Sequence, residues 1–163
     1  MAEPLELTSL LGAMYEPQRQ FRWILATDAL DAFTLKTATR PQIGFEDTVI
    51  DFINVKRYFA GKATWEPLTL TLQTPIAPSA AQKVMEWIRR SFEGNLGRMG
   101  YKDFYAIPEL NLRMLDPEGA VCEDWRILNA WIQNANFGEL DYSVSDPVNI
   151  TLTIRFDQAE LLR

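Results

Sequence analysis

The feature that most constrains the fold of this chain is a strict alternation of apolar and polar residues toward its end. Every second side chain between residues 148 and 156 is apolar, at Val148, Ile150, Leu152, Ile154 and Phe156. A period of two with many β-branched residues is typical of a strand with one buried face. Five more segments are alternating or apolar runs of the same type, at residues 21–25, 33–35, 68–72, 110–114 and 125–132. Together these segments predict a mainly β fold, a β-barrel or sandwich of about six or more strands.

Residues 79–92 follow a helical period instead. Apolar or small side chains recur on one face of this segment, at Val84, Trp87, Ile88 and Ser91. Ser79 with Gln82 three residues later matches a capping box, and Gly94 follows the apolar stripe, where a helix can end. We therefore predict one flanking α-helix at about 79–92. A shorter helical turn is predicted between Leu7 and Met14.

The stretch from residue 40 to residue 66 is too long for an ordinary connection between two strands. Structureless loops longer than about 12–15 residues are uncommon and often functional. Residues 48–55 have strand propensity, and the apolar side chains among them need something to cover them. The sequence therefore predicts a long β-arm at about 40–66 that leaves its own domain and docks on a neighbour. Trp65 ends this arm and is predicted to be a core or an interface residue.

The composition excludes several kinds of catalytic site. The chain has no histidine and one cysteine. It therefore lacks a histidine-dependent nucleophile pair, a histidine metal site and an internal disulfide. No glycine-rich phosphate-binding motif is present. We predict no enzymatic activity and no catalytic, cofactor-binding or metal-binding residues. One alternative stays open, in which the carboxylates of Glu139 and Asp141 form a catalytic pair.

The charge of the chain is uneven. Of the net charge of −6, none falls in residues 1–100 and all of it in residues 101–163. An acidic surface disfavours binding to a phosphate backbone, and it also favours solubility. The length fits one domain over residues 1–163. No apolar run approaches the ~20 residues of a membrane helix and Met1–Leu11 has no positive n-region, so we expect cytosolic synthesis and no membrane anchor.

Several segments occur in an order that resembles a known family. The stretch Phe33–Pro41 is followed by the run KRYFAG at Lys56–Gly61, by WEPLTLTL at Trp65–Leu72, by the predicted helix, and by NFGELD at Asn136–Asp141 ahead of a Thr-rich strand. This order resembles the tail tube proteins of contractile-tailed bacteriophages, in particular the T-even type, over roughly residues 20–157. The tubes of type VI secretion systems and of extracellular contractile injection particles are similar.

The resemblance implies a structural role. It implies hexameric rings that stack into a hollow tube inside a contractile sheath, with residues 40–66 contacting neighbouring subunits and the next ring. The implied partners are other copies of the chain, the sheath protein, and baseplate and neck proteins. The implied lumen is acidic, so that DNA passes without specific binding, and no cofactor is implied. The implied location is the virion tail, after synthesis in the host cytoplasm.

We expect the functional residues to lie at interfaces between subunits. The candidates are the arm residues Phe45, Val49, Ile53, Arg57 and Phe59. A tube initiator or terminator ring of the same family is an alternative function. A monomeric ligand-binding β-barrel with tryptophans in its pocket, and a hydrolase that uses Glu139 or Asp141, are alternatives of other classes.

Overall fold

A computed structural model describes residues 16–163 of the chain. The helical turn predicted between Leu7 and Met14 lies outside these residues. The described part contains two α-helices, α1 (Ala80–Ser91) and the short α2 (Lys102–Tyr105), and one 3-10 turn at Ala32–Thr34. The strands are β1 (Trp23–Ala26), β2 (Leu35–Ala38), β3 (Ile43–Phe52), β4 (Val55–Trp65), β5 (Leu68–Gln73), β6 (Phe92–Glu93), β7 (Arg98–Met99), β8 (Ile107–Leu115), β9 (Val121–Asn136), β10 (Asn149–Arg155) and β11 (Gln158–Leu161).

Seven of these strands form one antiparallel sheet. Its order is β1-β8-β9-β10-β5-β2, and β11 pairs with β9 beside this path. The prediction of a mainly β fold with one main flanking helix is confirmed. The end strands β1 and β2 do not pair with each other, so the sheet is open and is not a closed barrel.

The long strand β9 joins the two parts of the sheet. Its first part pairs with β8 and β11, and its last part pairs with β10. Asn129 lies where the pairing changes and has a left-handed backbone, with φ at 55°, which asparagine tolerates better than most residues. Its side-chain amide donates to Asp157 at 3.0 Å. A second irregularity leaves Gln133 without a partner on β10, so β9 bulges there.

The core confirms the alternation seen in the sequence. The inward positions of β5 and β10 are buried throughout, at Leu68, Leu70, Leu72, Ile150, Leu152 and Ile154. Trp87 is buried, whereas Trp23 and Trp125 are half-buried against the core. Phe21 and Phe33 break the pattern, because they lie outside β1 and β2 and their rings are exposed.

Helix α1 packs one face on the sheet. Its N-cap is Ser79, whose hydroxyl accepts a hydrogen bond from the Gln82 backbone N–H, as the capping box predicts. The buried stripe includes Val84 and Trp87, and the Trp87 indole N–H donates to the Tyr105 carbonyl oxygen at 3.1 Å. The glycine-rich segment that follows the helix forms a short hairpin, β6–β7.

Candidate assembly surfaces

The hairpin β3–β4 is the arm predicted from the sequence. Its two strands pair only with each other among the described residues, in a sheet separate from the seven-stranded one. Every residue of β3 and every residue of β4 except Trp65 is exposed. An isolated two-stranded hairpin is at best marginally stable in water. The arm therefore carries a large apolar surface that nothing within the described chain covers.

The register of the arm separates its side chains into two faces. In the outer half, the pairs Phe52–Val55, Ile50–Arg57 and Thr48–Phe59 share one face, since directly opposed residues of antiparallel strands point the same way. We call this set the apolar face of the arm. The opposite face alternates charge with apolar groups, through the pairs Asp51–Lys56 and Val49–Tyr58.

A bulge divides the outer half of the arm from its base. One extra residue in β4 shifts the register between Phe45 and Asp47. Gly61 lies at this bulge, where an added Cβ would be 2.8 Å from the Glu46 carbonyl oxygen. A side chain at position 61 would therefore collide with the facing strand.

Two sets of contacts hold the base of the arm on the sheet. Arg40 donates to both carboxylate oxygens of Glu123 at 3.2 Å, and the Trp125 indole N–H donates to the same carboxylate. Partial burial raises the pKa of Glu123, but the hydrogen bonds from Trp125 and Arg40 outweigh that effect, so the pKa lies below its ordinary value. At the other side of the base, the Trp65 ring packs on Phe156, with 5.8 Å between ring centroids. These contacts fix where the arm leaves the domain.

All five arm residues singled out from the sequence are exposed, but they do not share one surface. Arg57 and Phe59 lie on the apolar face, Val49 lies on the opposite face, and Phe45 lies below the bulge. Ile53 is at the tip, where its side chain is 88% exposed. Sequence reasoning missed other members of the apolar face, namely Ile50, Phe52 and Val55, because register depends on pairing.

A second surface is the outer face of the strands β2, β5, β10 and β9. One cross-strand row consists of Thr37, Thr71, Thr151 and Asn136, and the next row contains Thr69, Thr153 and Asn134. Both rows present hydroxyl and amide groups without any charge. On the other part of the sheet, by contrast, Arg113 pairs with Asp124 at 3.2 Å and Arg126 pairs with Glu160.

Glu139 and Asp141, the two carboxylates left open as a catalytic pair, line one surface cavity together with Asp146. Asp141 accepts hydrogen bonds from the backbone N–H and the hydroxyl of Ser143, and the backbone bond is the larger cause of its lowered pKa. This pattern is that of a turn former. Within residues 16–163 no three cysteine or carboxylate side chains cluster as metal ligands would. None of the helices in that range is long and apolar enough to cross a bilayer.

A core sheet with one flanking helix and a protruding β-hairpin is a fold that this chain shares with solved components of contractile injection systems. A chain in the sheath/tube terminator structure of the extracellular contractile injection system PVC superposes with a TM-score of 0.74 at 14% identity, covering 93% of this chain and 100% of that one. A chain of the tube-terminating cap of the anti-feeding prophage gives 0.71 at 16% identity, covering 91% and 93%.

A type VI secretion protein shares the fold more distantly. Hcp1 from Flavobacterium johnsoniae has a TM-score of 0.54 at 12% identity, covering 87% of this chain and 95% of that one. No protein-family model and no curated protein sequence matches the chain. At these identities the likeness concerns the fold, and it confirms the fold that the resemblance to tail tube proteins predicted. The structures named here are tube, terminator and cap components rather than enzymes.

Proposed function

We propose that this chain is a non-enzymatic structural subunit that assembles into hexameric rings, and that the rings stack as the inner tube of a contractile tail. The observation that carries this proposal is the arm, whose apolar face is exposed although the rest of the domain has a well-buried core. An exposed hairpin of this kind makes a monomer prone to aggregation, whereas in a polymer neighbouring subunits can cover it.

Open strand edges support the same assembly. Strand β2 ends the sheet on one side. Among the described residues, the part of β9 at residues 131–136 pairs with β10 alone, so its other edge is open. These edges leave backbone N–H and C=O groups free to pair with another chain, and closure of a ring removes such edges. Edge pairing within a ring and arm contacts between subunits would then use separate parts of the domain.

The conduit function follows from this arrangement. The two rows of threonine and asparagine on the outer face of β2, β5, β10 and β9 carry no charge, and Arg155 is the residue that follows them on the same face of β10. A channel lined by these two rows would let DNA, or a protein effector, pass with little electrostatic capture. The sheath protein would surround the tube, baseplate and neck proteins would bind its ends, and the assembled location would be the virion tail or an equivalent injection particle.

Negative-stain electron microscopy with light scattering on the same sample tests the proposal. We expect rings or hollow tubes from the purified chain. Rings that never stack would favour a tube initiator or terminator, a role suggested by the terminator and cap structures that share the fold. A monomer of 18.7 kDa at every concentration would contradict self-assembly.

A further inference from the structure

Apolar side chains at the C-terminal end of helix α1 line a groove. Met85 on the helix and Phe92 just after it are exposed, and Ile88 is half-buried because it also packs against the core. With Arg89, Glu93, Gly94 and Asn95 they line a groove of about 530 Å³ between the helix and the β6–β7 hairpin. The groove thus combines apolar side chains with one charge of each sign.

The tip of the arm has the matching composition. Phe52, Ile53 and Val55 are apolar and exposed, and Asp51 faces Lys56 on the opposite side of the hairpin. The tip therefore also combines apolar groups with one charge of each sign. Asp51 can pair with Arg89 while Lys56 pairs with Glu93, so the two surfaces are complementary in charge as well as in polarity.

The backbone at the tip is strained. Ile53 has φ at 53°, a left-handed conformation that is a genuine outlier for a β-branched residue. Glycine would fit this turn position without strain. An isoleucine that is both strained and 88% exposed contributes nothing visible to the domain that carries it. Strain of this kind is retained where the side chain has a separate function.

We propose that the arm tip of one copy docks in the helix α1 groove of a second copy, with Ile53 as the apolar anchor. This inference rests on the proposed self-assembly and names its acceptor site. A second copy is the occupant because every copy carries both surfaces, while the exposed tip does not occupy the groove of its own chain. A donor patch and a different acceptor patch on each copy generate a head-to-tail contact, the type that builds rings and stacks.

Inversion of charge polarity tests the pairing. In the variant Asp51→Lys with Lys56→Asp, the cross-strand pair within the arm is kept but its direction is reversed. We expect this variant to lose tubes, and the groove variant Arg89→Glu with Glu93→Arg to lose them as well. The chain with all four substitutions should recover them. Unchanged tubes from either double variant, or no recovery in the fourfold variant, would overturn the proposal.

The variant Ile53→Gly tests the anchor. Because glycine relieves the strained φ, this change should leave the hairpin intact, while the lost apolar contact should raise the concentration needed for assembly about tenfold or more. An unchanged assembly concentration would overturn the anchor role. Failure of the wild-type chain to assemble at all would refute the proposed function instead, so the two failures are distinguishable.

Disulfide trapping locates the acceptor directly. In a Cys122→Ser background, chains carrying Ile53→Cys are mixed with chains carrying Phe92→Cys, assembled and mildly oxidised. We expect a covalent dimer from this pair and none from the control, in which Tyr142→Cys replaces Phe92→Cys, because Tyr142 is more open to solvent than Phe92 but far from the groove in sequence. A dimer from the control at the same yield would contradict a specific acceptor.

Discussion

Removal of the arm should separate assembly from folding. Deleting residues 44–60 takes away the outer arm with its apolar face and the candidates Phe45, Val49, Ile53, Arg57 and Phe59. No deleted residue is buried. The deletion keeps Ile43 opposite Trp65 and leaves Gly61 and three further residues to form a turn between them. Both contacts at the base of the arm also remain.

The expected effect on stability is small. The deletion shortens the connection between β2 and β5 to less than half, and halving a loop relieves about 0.6 kcal/mol of closure entropy. The hairpin by itself contributes little, since two strands alone are marginal in water. We therefore expect the free energy of unfolding to change by less than about 1 kcal/mol, whereas truncating one buried leucine typically costs about 2–5 kcal/mol.

Two measurements on the same variant check this reasoning. Urea unfolding of dilute samples, followed by tryptophan fluorescence, gives the stability, and the deletion retains all five tryptophans. Electron microscopy and light scattering give the assembly state. As a control, Leu140→Ser with Tyr142→Ser removes exposed apolar groups outside the arm and should leave tubes intact. A loss of stability above about 2 kcal/mol would make the arm part of the folded unit, and tubes from the deletion would refute its role in assembly.

Three further predictions concern single positions. Trp87→Ala should lower the unfolding free energy by about 3–5 kcal/mol in urea titrations, and Trp87→Phe by less, because the indole is buried and donates to a backbone carbonyl. Gly61→Ala should impair assembly seen by light scattering, since its Cβ meets a carbonyl oxygen at 2.8 Å, whereas at Gly44 the nearest atom is at 4.0 Å. The contact of Glu123 with Arg40 should stabilise the fold fully above the unfolded-state pKa of Glu123, and this stabilisation should be lost as the pH falls through the lower folded-state pKa. Thermal melting curves of Glu123→Gln and of the wild type should therefore differ at neutral pH and converge in acid.

The strands and the helix could be predicted because their signals are local. The apolar positions of β5 and β10 repeat every second residue, and a sheet with one buried face requires that period. The helix was placed within a residue of its observed bounds, since Ser79 caps it and the apolar stripe stops before Gly94. Phe21 and Phe33 were misjudged because a window of three residues cannot show where a strand ends.

The surfaces of the arm could not be predicted in the same way. Its length and strand propensity indicated a β-arm, and both follow from the sequence alone. Which side chains share a face depends on the register, and one extra residue in β4 reverses the alternation on that strand beyond the bulge. The sequence contained one hint, Gly61, whose close approach to Glu46 becomes meaningful only once the two strands are paired.

The arm and the sheet edges differ in how much conformational order must be created when they form contacts between subunits. Edge pairing joins backbone groups that the core already holds in place, so little order has to be created. The arm is held only at its base, by Glu123 with Arg40 and by Trp65 with Phe156, and its outer half must be ordered when it docks. Part of the docking free energy is therefore spent on conformational entropy. An arm that binds weakly alone and firmly once edge pairing has raised its local concentration would favour growth of an existing ring or tube over random aggregation.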